Sequence, residues 1–397
     1  MVAGLNILVS GASIAGPAVA YWLKRNDNAV TLIERSPKMR HAGQNIDVRA
    51  SGREVLRRMN LEHAVLQQNT GEIGTRFLDD AGRILCELPA GTSDSDGATA
   101  QAEILRGDLS ELLLGALPTD VPVLFGQRIT ALHQDSDGVL VTLNNAVQER
   151  YDLVIIAEGA RSSSRRLVFG EVPTKPLGLY TAFGTIARTD EDDQWWNWYT
   201  ATEGRTVTVR PDNKGTTRIA LSFLSPPAGY EDLPSADQKT MLTEKFAGLG
   251  WRVPHILDGL ARTDELYVEH LTQVFAPHYA RGRVALLGDS AWCATPLSGR
   301  GATLALTGAY VLAGELAVGT SVESAMAAYQ QQLKAVVQQA QKLPPGAPRL
   351  VHPRTELGLR VFRVLARLMG SRPARAISNL VPAGSASADE LPRYSTQ

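Results

Sequence analysis

The sequence predicts an α/β protein: a parallel-sheet unit that the chain leaves and re-enters, an antiparallel-sheet domain, and helices toward the C-terminal end. Three observations predict it. Uninterrupted apolar runs at residues 5–9 and 29–33 read as buried parallel strands on either side of a helix. Residues 175–225 change character, with Val207-Thr208-Val209 and Ile219-Ala220-Leu221 separated by the turn Asp212-Asn213-Lys214-Gly215. Buried-strand character then returns at 284–287, so the parallel unit is discontinuous in sequence.

Taken in order, residues 16–25 carry Val19, Trp22 and Leu23 on one helical face. Strand, helix and strand within the first 34 residues make a βαβ unit. Residues 51–68 read as one helix with Val55, Leu56 and Met59 inward. The 175–225 stretch adds Tyr180, Phe183, Trp195, Trp196, Trp198 and Tyr199 to its alternation, an aromatic sheet face. Ser235 to Gln238 fits a capping box that opens a helix toward Leu249. A long apolar helix follows at 302–317, and Thr320 with Glu323 forms the capping box of another that runs to about Lys342. Leu343-Pro344-Pro345-Gly346 breaks it. Residues 357–369 form a last helix, expected to dock through Leu357, Val361, Val364, Leu365 and Leu368 with Arg360, Arg363 and Arg367 in water. The tail from Pro382 is expected to be disordered.

Composition narrows the function classes. The 397 residues carry a net charge of −1, which gives no field for nucleic acid or an anionic membrane. Two unrelated cysteines, Cys86 and Cys293, make neither a disulfide framework nor a metal site. The seven histidines show no ligand spacing, so no metal is expected. No signal peptide or membrane span is evident, and the expectation is a cytoplasmic protein.

Two motifs carry chemistry. Gly11-Ala12-Ser13-Ile14-Ala15-Gly16 joins the first strand to the first helix in the manner of a Rossmann-type dinucleotide unit. Gly11 permits the tight turn, Gly16 lets helix and strand approach, and the amides of Ser13, Ile14 and Ala15 face a pyrophosphate. Ser13 stands where the fingerprint has its middle glycine. Glu34, followed by Arg35, ends the second strand, where a carboxylate accepts from ribose hydroxyls. The second motif runs from Gly288-Asp289 through Pro296 to Gly299, Gly301 and Ala302. Its Asp suits the ribityl hydroxyls of a flavin, and its helix N-terminus stabilises negative charge on a reduced ring.

With Asp152-Leu153-Val154-Ile155-Ile156-Ala157-Glu158-Gly159, these motifs resemble the group A FAD-dependent monooxygenases, the para-hydroxybenzoate hydroxylase fold. The resemblance spans roughly 5–345. The phrases 42–49, 103–109 and 308–316 look like the branch that contains tetracycline-inactivating, polyketide and aromatic hydroxylases. It implies segments 1–70, 101–172 and 276–342 for FAD, 71–100 and 173–275 for substrate, C-terminal helices over 343–381 and a tail over 382–397. It also implies that Arg106 approaches the pyrophosphate or ribityl chain, that Gln44 and Asn45 pass near the flavin, and that Arg128 and Ile129 meet the adenine. Pro296 to Ala302 would line the isoalloxazine. NADPH or NADH would be a transient reductant. A flavin C4a-hydroperoxide, formed with molecular oxygen, would hydroxylate a phenolic, enolic or polyketide-like molecule.

The sequence departs from that pattern at Ser13, at Glu158 (an Asp in the family) and at Trp292, which stands in place of a His or Tyr. Trp292 would offer an apolar wall and an indole donor if it neared the substrate. Trp196-Asn197-Trp198 evokes the halogenase motif, but Tyr199-Thr200-Ala201 follows without its Ile and Pro. A halogenase or dehydrogenase on the same scaffold, and a non-catalytic FAD-binding redox sensor, stay open as alternatives. No particular catalytic side chain stands out.

Overall fold

The computed structural model describes residues 4–39, 43–90, 100–344, 346–370 and 391–394. Its six-stranded sheet is ordered Ala280–Arg281, Val284–Leu286, Leu153–Ile156, Asn6–Ser10, Ala29–Glu34, Val123–Phe125, and every pair but the first is parallel. Ile7, Leu8, Leu32, Ile33 and residues 153–156 are fully buried, as strands covered on both faces must be. The helix Ala15–Arg25 packs on one side together with Gly301–Val318. The latter is the single described helix long and apolar enough to cross a bilayer, and 89% of it is buried inside the protein.

The second sheet has seven strands: Leu266–Val274, Thr174–Ala187, Thr216–Leu224, Arg205–Pro211, Trp195–Thr200, Gly74–Leu78 and Ile84–Pro89. It is antiparallel except where Trp195–Thr200 runs parallel to Gly74–Leu78. Tyr180, Ala182, Ile219, Leu221, Val207 and Tyr199 point to one face, where they share a core with Ser235–Phe246 and Val253–Arg262. The opposite face, with Phe183, Tyr267, Glu269, Thr181, Ser222, Trp196 and Trp198, is set off from that core by the register.

Several elements differ from expectation. The 51–68 helix is two, Ala50–Arg58 and Glu62–Gln67, because Asn60 turns the chain at φ 58°, a conformation Asn tolerates better than most residues. Ser235 is the first residue of its helix, not its cap; Pro234 precedes it, and no side chain caps the end. The following box is Ser321 with Ser324, one residue later than Thr320 with Glu323, and both reciprocal bonds are present. The last helix, Glu356–Met369, docks on the opposite face from the one its apolar stripe suggests. Leu359, Phe362 and Ala366 are buried, while Leu357, Val361, Val364, Leu365 and Leu368 are half or more exposed. Its rotation is set by its entry: Pro353 and Arg354 carbonyls accept from Gly204 and Glu203 amides at 2.9 and 3.1 Å, and Thr355 caps the first turn. Phe362 then meets Phe77, and Arg363 pairs with Asp80 at 2.6 Å.

Of the tail expected to be disordered, residues 391–394 are docked. The Tyr394 hydroxyl donates to Glu315 at 2.8 Å, and Tyr310 donates to the Pro392 carbonyl at 2.9 Å. The remainder of that tail, and Ala42 of the 42–49 phrase, lie outside the described residues.

Candidate active site

The predicted cofactor residues gather at the carboxyl ends of the parallel strands, where open α/β sheets bind ligands. Gly11 follows Asn6–Ser10 with φ 111°, and a Cβ there would lie 2.3 Å from the Ala157 carbonyl. A Cβ on Gly16 would lie 1.8 Å from the Gly11 carbonyl, so both glycines are fixed by close backbone approach. The Ser13, Ile14 and Ala15 segment opens the first helix, and Ile14 at its N-cap makes no side-chain cap bond. Glu34 accepts from the Ala12 amide at 3.0 Å and the Ser36 amide at 2.9 Å, which braces the glycine turn against the second strand. Arg35 is exposed beside it. The Gln127 amide donates to the Glu34 carbonyl at 2.9 Å and so brings Arg128 and Ile129 to that end of the groove. Arg128 is exposed and Ile129 buried.

Arg106 reaches Ser13 Oγ with Nε and Nη2 at 3.4 and 3.3 Å, and its amide donates to the Gln44 carbonyl at 3.0 Å. The two predicted segments are thus brought together over the glycine loop. Asn45 is turned away from solvent: its Nδ2 donates to Glu103 at 2.8 Å and to the Pro211 carbonyl at 3.0 Å. Asp289 follows Val284–Leu286 and stands accessible in the groove, where the surrounding protein raises its carboxyl and Arg106 opposes the rise. Behind it Arg165 is buried and donates to the Ser290 carbonyl at 2.8 Å. Thr295 precedes Pro296 at φ 68°, ψ 159°, a conformation that costs a non-glycine residue about 1–3 kcal/mol. Gly299 and Gly301 face open space, Ala302 is buried, and no side chain caps the helix they begin.

Two departures from the family pattern now have physical accounts. Glu158 accepts from the hydroxyls of Ser10 and Ser164 at 2.6 Å and of Ser162 at 2.7 Å, so it ties the end of the first strand to the start of the helix Ser163–Phe169. Trp292 does not wall the groove. It is buried against Tyr279 at 4.8 Å and Tyr329 at 6.1 Å, with Gly308 leaving room for its ring.

Across the groove, Leu266–Val274 presents Tyr267 and Glu269 on the sheet face away from the helical core. Burial lifts the Glu269 carboxyl to about 6, with Asp289 adding to the rise and Arg106 and Arg161 opposing it. Sequence reasoning missed Glu269, Arg165 and Ser290. The alternation of 266–274 could have placed Glu269 on one face of a strand, but nothing local marks which face meets the groove.

The donor set fits a flavin dinucleotide: close-packed glycines, uncapped helix starts, a carboxylate at each of two strand ends and an arginine between them. The family model for the FAD binding domain matches residues 5–343. The chain belongs to the group A FAD-dependent monooxygenases. An uncharacterized protein of Mycobacterium tuberculosis is 36% identical to this monooxygenase over 352 residues, 86% of this chain and 95% of its own. A FAD-dependent monooxygenase of Sarocladium schorii is 34% identical, covering 79% and 76%. Among solved structures, tetracycline destructase Tet(55) matches with a TM-score of 0.80 and 31% identity over 98% of each chain. Klebsiella pneumoniae HpxO with FAD and uric acid shares the fold at a TM-score of 0.75 and 20% identity, over 96% of each chain. FAD is the cofactor of this monooxygenase.

Proposed function

We propose that this monooxygenase hydroxylates a phenolic, enolic or polyketide-like molecule, drawing electrons from NADH or NADPH and one oxygen atom from O₂. The observation that carries the reading is the apposition of the cofactor groove to the sheet face that bears Tyr267, Phe183, Thr181 and Ser222, with the helix Glu356–Met369 over its far end through Phe77 and Phe362. Aromatic rings 5.0 Å apart at Phe183 and Tyr267, beside hydroxyls, suit a flat molecule that carries oxygen substituents. The similarity to a tetracycline destructase supports a polycyclic member of that class.

In this reading Glu34, Arg35, Arg128 and Ile129 hold the adenosine end and the 11–16 turn holds the pyrophosphate. Arg106 and Asp289 hold the ribityl chain. Gln44 and Pro296 to Ala302 flank the ring, and Asn45 follows with only its backbone beside Gln44, its side chain being turned to Glu103 and Pro211. Bound FAD supplies the redox chemistry with O₂. The chain's own groups orient the substrate, exclude water and place a helix N-terminus where negative charge grows. Glu269, half-neutral near pH 6, is a titratable carboxylate that the sheet presents to this groove.

The test is NADPH and NADH consumption across a panel of polycyclic phenols and enols, with mass detection of a gain of about 16 Da. Faster oxidation of the nicotinamide with an oxygenated product is expected. A panel in which every member leaves consumption at the substrate-free rate, with no mass gain, sinks the proposal.

A further inference from the structure

One hairpin of the sheet reaches the ribbon that borders the cofactor groove. Strands Arg205–Pro211 and Thr216–Leu224 meet at residues 212–215, and this tip grips the two-stranded ribbon of Asn45–Asp47 and Glu103–Leu105. Arg210 is the centre of the grip. Its Nε donates to Glu72 Oε2 at 2.7 Å and its Nη2 donates to Glu103 Oε2 at 2.6 Å. The guanidinium lies 3.9 Å from the centre of the Trp196 ring. Glu103 Oε1 accepts from Asn45 at 2.8 Å and from the Thr70 hydroxyl, so one carboxylate gathers the ribbon, the hairpin and the chain before Glu72.

Three further contacts repeat the pattern. Arg218, bonded to Asp212 at 2.9 Å, reaches the Gly43 carbonyl at 3.4 Å. Lys214 pairs with Asp108 at 3.0 Å, and Asn213 donates to the Gln68 carbonyl at 2.8 Å. The gripped residues bracket the groove residues: Gly43 and Asn45 flank Gln44, and Glu103 and Asp108 lie on either side of Arg106.

We propose that Arg210 is a positioning residue for the cofactor: held between Glu72 and Glu103, it fixes the ribbon so that Gln44 and Arg106 face the groove. This rests on the assignment of those two residues to FAD. The grip is also sensitive to protons, because it sets two buried carboxylates against one guanidinium. Burial lifts Glu72 to about 8 against the pull of Arg210, and Glu103 and Asp47 add to the rise; Asp47 is itself paired with Arg49 at 2.9 Å. The second oxygen of Glu72 is buried without a hydrogen-bond partner, which suits a protonated acid. Near neutral pH Glu72 holds its proton and the cluster is balanced. As pH rises toward and through about 8 Glu72 gives up that proton, a buried negative charge is left over, and the hold on the ribbon weakens.

The experiment measures the FAD dissociation constant at pH 7 and pH 9 for the full chain and for Arg210→Met, Arg210→Lys, Glu72→Gln and Arg106→Ala, with no substrate present. Arg210→Met is expected to weaken FAD about tenfold at pH 7, with partial recovery in Arg210→Lys. The wild-type constant should rise several-fold between pH 7 and pH 9, and in Glu72→Gln the ratio of the two should fall toward one. Should Arg210→Met not fold, the Glu72→Gln ratio decides alone: a ratio equal to wild type overturns the proposal. An Arg106→Ala constant equal to wild type overturns the cofactor assignment and the grip with it. A weakened Arg106→Ala beside an unchanged Arg210→Met overturns the grip alone. None of these arms uses a substrate, so a barren substrate panel leaves the result standing.

Discussion

Replacing Gly16 by alanine should separate the strand from the helix that follows it. The new Cβ would stand 1.8 Å from the Gly11 carbonyl oxygen and 3.3 Å from Leu32 Cδ1. Ordinary contact begins near 3.4 Å, so the helix start must retreat by roughly 1.6 Å against backbone on one side and a core leucine on the other. Overpacking of this kind costs about 1–3 kcal/mol, and a clash with backbone belongs at the upper end. Alanine's better helix propensity returns at most about 1 kcal/mol. The net loss of about 2 kcal/mol lowers Tm by about 4–8 °C in a large domain. The amides of residues 13–15 move with the helix, and each charge-assisted bond to phosphate is worth about 1.5–3 kcal/mol, so FAD should bind at least about tenfold more weakly. Gly301→Ala is the control, because a Cβ there meets nothing within 4 Å. It should leave the apoprotein Tm unchanged and weaken FAD only. Thermal melts of both apoproteins and a fluorescence titration with FAD give the two readouts. A Gly16→Ala protein that melts within about 1 °C of wild type and binds FAD normally would refute the argument.

Asp289→Ala should weaken FAD by about 1.5–3 kcal/mol while apoprotein stability holds, since its carboxylate stands open in the groove; equal titration curves would contradict its placement. Glu34→Ala should lose both FAD affinity and stability, because the same carboxylate braces the Ala12 and Ser36 amides, and an unchanged apoprotein melt would contradict that bracing role. His352 is buried, which holds its imidazole down to about 4, and its Nδ1 lies 2.9 Å from the Pro348 carbonyl. The unfolded chain takes up a proton near pH 6.5 that the fold refuses, so this contribution is whole above about pH 6.5 and fades as pH falls toward 4. The slope is about 1.4 kcal/mol per pH unit, and urea melts of His352→Asn should show a flatter acid limb than wild type. Phe362→Ala should destabilise by about 2–3 kcal/mol and Leu365→Gln by less than about 0.5, an order opposite to the one that the helix's apolar stripe suggests; equal losses in denaturant melts would contradict the docking described.

The parallel unit was legible because its signals are local. Buried strands read as apolar runs, and the spacing from Gly11 to Gly16 forces a turn whatever lies elsewhere. Asn60 was not legible as a break, since an Asn within a helical pattern turns left-handed only when the helices around it demand it. The last helix failed for a related reason. Counting apolar positions selects its larger stripe, whereas docking is decided by how Pro353 and Arg354 are tied to Glu203 and Gly204, some 150 residues earlier in the chain. Trp292 was ambiguous because an indole suits a substrate wall and a core equally, and Tyr279, Tyr329 and Gly308 settle it. The grip on Arg210 had no signature, for its partners Glu72 and Glu103 gain meaning only once three segments meet.

The docking of Tyr394 against the long apolar helix bears on how the molecule is made. A Cβ on Gly314 would lie 2.1 Å from that ring, so the seat is cut for the tyrosine. The strand at residues 6–10 is made well before its neighbour at 153–156, the next at 284–286 is made later still, and the residues that close over Gly314 follow at 392–394. At about 5–20 residues per second, nascent residues 6–10 wait tens of seconds for their sheet to be completed. The seven-stranded sheet has all its strands by residue 274, and its core with Ser235–Phe246 and Val253–Arg262 can close first. The sheet that receives the first strand made is therefore completed after the sheet whose strands all come between it and residue 274, and a chain cut short before Tyr394 leaves Gly314 without its tyrosine.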